Sequence, residues 1–79
     1  MNIKILGTGC PNCKNLEKTV REVVSQMNIN AEITKVEDIT QIMSYGIMRT
    51  PGLVINEKVV LYGRVPSAKE IKEIIEKAS

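Results

Sequence analysis

The hydrophobic period changes twice between Ile3 and Val36, from strand to helix and back to strand. Ile3, Ile5 and Leu6 form a short apolar run, interrupted by Lys4 and ended by Gly7, that reads as a strand. After the Gly7-Thr8-Gly9 loop, Cys13, Leu16, Val20, Val23, Val24 and Met27 recur at three- and four-residue spacing. Lys14, Lys18, Arg21 and Glu22 fall on the opposite face, and Glu17 and Arg21 stand at i,i+4 in the favourable order. The helical pattern stops near Asn28, and Ile29, Ala31 and Ile33 then alternate with polar residues before Val36. A strand, a crossover helix and a second strand close as a parallel pair with a right-handed connection.

The remaining chain adds one helix, a hairpin and a last helix. Asp38 reads as an N-cap with Gln41 as its capping-box partner. Ile39, Ile42 and Met43 make a two-turn apolar stripe, and Gly46 fits a C-cap. Gly52 to Ile55 and Lys58 to Tyr62 are β-branched runs around Asn56-Glu57, a hairpin whose turn is not ideal because a two-residue primed turn favours glycine where Glu57 stands. A longer turn, or Asn56 alone in the left-handed region, is the alternative to a two-residue turn. Ser67 and Glu70 form a second capping box before Ile71, Ile74, Ile75 and Ala78. The order is βαβαββα, an α/β fold with helices on both faces of a small four-stranded mixed sheet, in one domain spanning residues 1–79.

Composition removes whole classes of chemistry. The 79 residues contain no His, so there is no His general base, triad or metal ligand. With no Trp or Phe there is no stacked aromatic platform for single strands, and a net charge of +2 without a basic cluster gives no sign of nucleic acid or membrane as partner. No apolar run approaches the roughly 18 residues of a membrane helix. The opening Met1-Asn2-Ile3-Lys4-Ile5-Leu6-Gly7 is too quickly broken for a signal peptide, so the expected location is the cytoplasm.

Cys10 and Cys13 are the only cysteines. A disulfide between them closes a very small loop and restricts the unfolded chain least, so the pair points to redox work or metal binding rather than to a staple. Cys10 lies where the loop after the first strand becomes the helix, and Pro11 fits the first helical position, where its missing N–H costs nothing. Cys10 is then the N-cap, with its sulfur open to the free N–H of Asn12 or Cys13 and at the positive end of the helix dipole. Both effects favour the thiolate, and Lys14 adds positive charge nearby. Cys13, one turn on and on the apolar stripe, is expected to be more buried and less acidic. Gly7-x-Gly9 after a strand is a partial dinucleotide loop, but Asn12 stands where the third glycine is needed. Read from spacing alone, Pro51 is a trans proline opening a strand. Tyr45 and Met48 lie near the site; both residue types more often pack than bind.

The segments Ile3-Lys4-Ile5-Leu6-Gly7-Thr8-Gly9-Cys10-Pro11-Asn12-Cys13, Tyr45-Gly46-Ile47-Met48 to Thr50-Pro51, and Gly63-Arg64-Val65-Pro66-Ser67 resemble the thioredoxin superfamily. Within it, the chain looks like the small redox-active disulfide proteins of archaea and bacteria, and the resemblance covers essentially the whole chain. It implies a minimal thioredoxin fold with strand order 2-1-3-4, a cis Pro51 beside the disulfide, and backbone pairing of Thr50 with a substrate strand. It also implies that Cys10 is the nucleophile and Cys13 the resolving thiol. Larger thioredoxins carry Trp before the first cysteine and a buried Asp beneath the second; here Thr8-Gly9 precede the pair and the first strand offers Lys4. Cys-Pro-x-Cys is closer to glutaredoxins, which usually hold glutathione with an acidic residue after the fourth strand, where this chain has Arg64.

The expected function is thiol–disulfide oxidoreduction of protein disulfides, by a monomer without bound cofactor or metal, with electrons from a reductase or small thiol. The competing expectation uses the same dithiol to carry a soft metal or metalloid such as Cu(I), Zn(II) or As(III). A third reading is a redox-controlled interaction module.

Overall fold

The computed structural model describes residues 1–78. The elements run β1 (Asn2–Leu6), α1 (Pro11–Gln26), β2 (Glu32–Val36), α2 (Ile39–Ser44), β3 (Gly52–Ile55), β4 (Lys58–Tyr62) and α3 (Ala68–Ala78). The strands form one mixed sheet in the order β2-β1-β3-β4, as the resemblance implied. β1 and β2 pair in parallel with Ile3 opposite Ile33, while β3 runs antiparallel to β1 and to β4. Leu6 opposite Gly52 therefore brings the end of β1 to the start of β3.

Alternation along the strands serves two cores. Ile3, Ile5, Leu53, Ile55 and Leu61 pack with Leu16, Val20 and Val23 of α1 and Ile71 and Ile75 of α3. Leu6 and Val54 point the other way and pack with Val36, Ile42 and Ile47 beneath α2. Burying each such aliphatic side chain contributes on the order of 1.5–3 kcal/mol, so the larger cluster fixes α1 and α3 far more firmly than the smaller one fixes α2. No helix among the described residues is long and apolar enough to cross a membrane.

Several boundaries differ from the sequence expectation for local reasons. α1 stops at Gln26 and Asn28 turns left-handed with φ 53°, so β2 begins at Glu32. Ile29 and Ala31 still pack on the larger core, ahead of the strand. Asp38 caps α2 by accepting from Thr40 N–H at 2.8 Å, but no reciprocal bond comes from Gln41. Ser67 accepts from Glu70 N–H at 3.2 Å, while the Glu70 carboxylate turns to Arg64, so this box is also half made. The hairpin has its two-residue turn after all: Asn56 and Glu57 both sit left-handed, with φ 51° and 68°. Both conformations suit a primed turn between twisted strands.

Glu57 holds that unfavourable backbone conformation while its carboxylate meets Lys4. The Lys4 ammonium lies 2.6 Å from Glu57 Oε1 and donates to Tyr45 Oη at 2.9 Å, and Tyr45 donates to Glu57 at 3.4 Å. The cluster ties the end of α2 to β1 and to the hairpin turn. Its hydrogen bond to Lys4 holds the Glu57 carboxyl below the usual 4.5, and Glu17 and Glu70 are lowered likewise by Arg21 and Arg64. A carboxyl whose folded value is lowered contributes stability in full above its unfolded value, and this is lost as pH falls through the folded one. The urea midpoint is therefore flat from neutrality down to about pH 5 and drops below it. In Glu57→Gln the acid-side drop is shallower; an unchanged acid limb would place no folded-state interaction on this carboxylate.

Candidate active site

The end of β1 delivers the chain to the first turn of α1 through the exposed Thr8 and Gly9, the latter at φ 89°. Cys10 is the N-cap, extended at φ −65° and ψ 161°, and Pro11 fills the first helical position. The Cys13 N–H donates to Cys10 Sγ at 3.2 Å. That bond gives a helix-end donor a partner and points a dipole at the sulfur, which stabilises negative charge there. No acidic residue stands in the first turn of α1 to oppose it. Cys10 and Cys13 are joined as a disulfide with Cα atoms 5.0 Å apart. The two sulfurs differ in access: Cys10 is half-exposed at the cap, whereas Cys13 is 5% exposed on the buried stripe of α1.

Gly7 is part of this arrangement, a residue read from the sequence as a strand stop and half of a partial Gly-x-Gly loop but not as a neighbour of Cys13. A Cβ built on it would lie 2.8 Å from Cys13 Cβ and closer still to its Sγ. The side chain of Cys13 occupies the space that any other residue at position 7 would need.

Thr50 and Pro51 reach the same end of the sheet from the other side. Pro51 is buried and directly precedes Gly52, the partner of Leu6, and its carbonyl accepts from Gly63 N–H at 2.8 Å. The Thr50–Pro51 peptide is cis. Thr50 is exposed, and its backbone N–H and C=O make no hydrogen bond among the described residues. Pro11, Asn12 and Lys14 are exposed beside the disulfide.

Between Thr8 and Thr50 opens a groove of about 280 Å³ lined also by Ile39, Ile42, Met43, Ile47 and Met48. Ile39, Met43 and Met48 are 60%, 62% and 93% exposed and give the groove an apolar wall. The stripe on α2 was legible, but its spacing could not tell a covered face from an open one. Tyr45 is instead a packing and hydrogen-bonding residue, held by Lys4.

A sequence model of the thioredoxin domain matches residues 1–76. The chain belongs to the thioredoxin family. A thioredoxin of Methanothermobacter thermautotrophicus is 44% identical over 75 residues, covering 95% of this chain and 97% of that one. A thioredoxin of Methanocaldococcus jannaschii is 41% identical over 71 residues, covering 90% and 81%. Among solved structures, thioredoxin 1 from the thermophilic eubacterium Thermosipho africanus TCF52B superposes with a TM-score of 0.63 over 98% of this chain and 92% of that one. At 20% identity that likeness is one of fold. Family membership together with the Cys10–Cys13 disulfide makes the protein a thiol–disulfide oxidoreductase. The metal-carrier alternative is not favoured, since the family model and the curated relatives are thioredoxins.

Proposed function

We propose that Cys10 is the attacking sulfur and Cys13 the resolving one, working on disulfides of other proteins. The observation that carries this division is the N-cap: the Cys10 sulfur accepts the Cys13 N–H at the helix start, while Cys13 is buried one turn further in. In the reduced protein the Cys10 thiolate attacks one sulfur of a substrate disulfide. A mixed disulfide forms, and the other substrate sulfur leaves as a thiolate that takes a proton from water. Cys13 then loses its proton and attacks Cys10 Sγ. The Cys10–Cys13 disulfide forms, the mixed disulfide breaks, and the second substrate thiolate departs. Two electrons pass from the dithiol to the substrate, and an external reductase or small thiol returns them.

Proteins rather than small disulfides fit the surroundings. The free backbone groups of Thr50 beside Pro51 suit an extended chain that adds as a strand, and the groove beside them accepts its side chains. Pro11, Asn12 and Lys14 tune the Cys10 thiolate from the first helical turn. The working protein in this reading is a cytoplasmic monomer that carries its electrons in the two cysteines alone.

The test is the Cys10–Cys13 potential in a dithiothreitol buffer series, with the Cys10 pKa from thiolate absorbance. The expected potential lies between about −270 and −200 mV, the range of thioredoxins and glutaredoxins, and the expected pKa is below about 8.5. A pKa at the free value, or no reversible couple, would overturn the assignment of Cys10 as nucleophile.

A further inference from the structure

The three loops around the disulfide carry cations only. The segments that meet there, residues 7–15, 45–52 and 62–67, contain Lys14, Arg49 and Arg64 and no carboxylate. Arg64 is neutralised by a two-pronged pair with Glu70 of α3. Lys14 and Arg49 have no ion pair among the described residues. The uncompensated start of α1 adds to the same field. Glu37 and Asp38 close the same end of the sheet at β2, but Asp38 is committed to Thr40 N–H and Glu37 lies 3.9 Å from Lys35.

Arg49 is the unpaired cation at the edge of the apolar groove, outside its lining and turned toward Gly63. Its chain neighbours Met48 and Thr50 both line that groove. Its stem lies against Gly63, with Cβ and Cδ each 3.6 Å from where a Cβ on Gly63 would stand. Packing the stem lowers the freedom that a long side chain loses on pairing, and the residue as a whole is exposed.

We propose that the protein partners reduced at this site carry, beside the reacting cysteine, an apolar side chain that enters the groove and a carboxylate that pairs with Arg49. This names the substrate class of the oxidoreductase described above and rests on that reading. An acidic partner is favoured over a second copy because a two-fold contact through this face would gather the unpaired Arg49 and Lys14 of both copies in one interface. The apolar contact supplies affinity, and the charge supplies selectivity and a faster encounter that salt suppresses.

The experiment uses the pre-reduced protein and two peptides of equal length, each closed by the same disulfide and bearing leucine beside the first cysteine. One carries glutamate next to that pair and the other lysine. The rate constant for oxidation of the protein is compared as a ratio, in which any common change in thiol reactivity cancels. The acidic peptide is expected to react about fivefold faster in dilute buffer, the scale of one exposed ion pair, with the ratio approaching one near 0.5 M salt, where the Debye length is only a few ångströms. Arg49→Glu inverts the ratio. Lys58→Glu, an equal charge change at the far end of the hairpin, preserves it. A wild-type ratio near one, or the same ratio in Arg49→Glu, overturns the proposal. So does a dimer that dissociates in Met43→Lys, which would give the groove to a second copy. The neutral hydroxyethyl disulfide separates the two levels: reaction with it but no charge preference sinks this inference alone, and no reaction with any of the three sinks the oxidoreductase reading as well.

Discussion

A Cys13→Ser variant, mixed with a protein disulfide, is expected to stop at a covalent complex. Cys10 retains its place at the helix start, so the first attack proceeds; with no second sulfur, the mixed disulfide has nothing within the chain to release it. Multiple turnover falls by about a thousandfold or more, the scale of losing a member of a group that acts as a unit. The complex should survive denaturing, non-reducing electrophoresis and vanish with added thiol. Cys10→Ser should lose turnover equally and trap nothing, because the remaining sulfur is 5% exposed. Trapping by Cys10→Ser instead would reverse the assignment.

The second large effect is on stability. Gly7→Ala places a methyl group where the Cys13 side chain already sits. Overpacking of this kind costs about 1–3 kcal/mol, and in a domain of this size each kcal/mol moves Tm by roughly 4–8 °C. The loss should appear in both the oxidised and the reduced protein, since the overlap involves Cys13 Cβ as well as its sulfur. Thermal unfolding of the two forms measures it. A shift below about 2 °C would mean that the start of the loop moves aside at little cost and that the overlap with Cys13 does not constrain position 7.

Much of this was legible because the informative residues act locally. The strand stop at Gly7, the proline after Cys10 and the periodicity from Cys13 to Met27 are each set by neighbours in the chain, and the structure places Cys10 as the cap they imply. The residues that went unread depend on what lies across space. Glu57 looked wrong for a tight turn because its local preference is against a positive φ, and its tie to Lys4 lies across the sheet edge, out of sight of the turn's own sequence. The strand after α1 began late because Asn28 took a left-handed conformation that alternation cannot reveal. Ile39 and Met43 were read as a stripe, and only the assembled fold shows that nothing covers them. Arg49 gave no motif at all; its meaning comes from Met48 and Thr50 facing one groove. The cis geometry of Pro51 came from resemblance, against what spacing favoured.

The six residues of α2 have one further consequence. A helix of this length does not hold itself together in water, and only Ile42 anchors its middle, with Tyr45 pinned at its end by Lys4. α1, by contrast, buries five side chains over sixteen residues. Opening free energies within one small protein span from near zero to the global value, and α2 belongs at the low end. The two cysteines therefore sit on the helix with the most buried side chains, while the groove beside them is walled in part by the helix with the fewest. Local opening that begins at α2 would leave the geometry of the reactive pair on α1 unchanged.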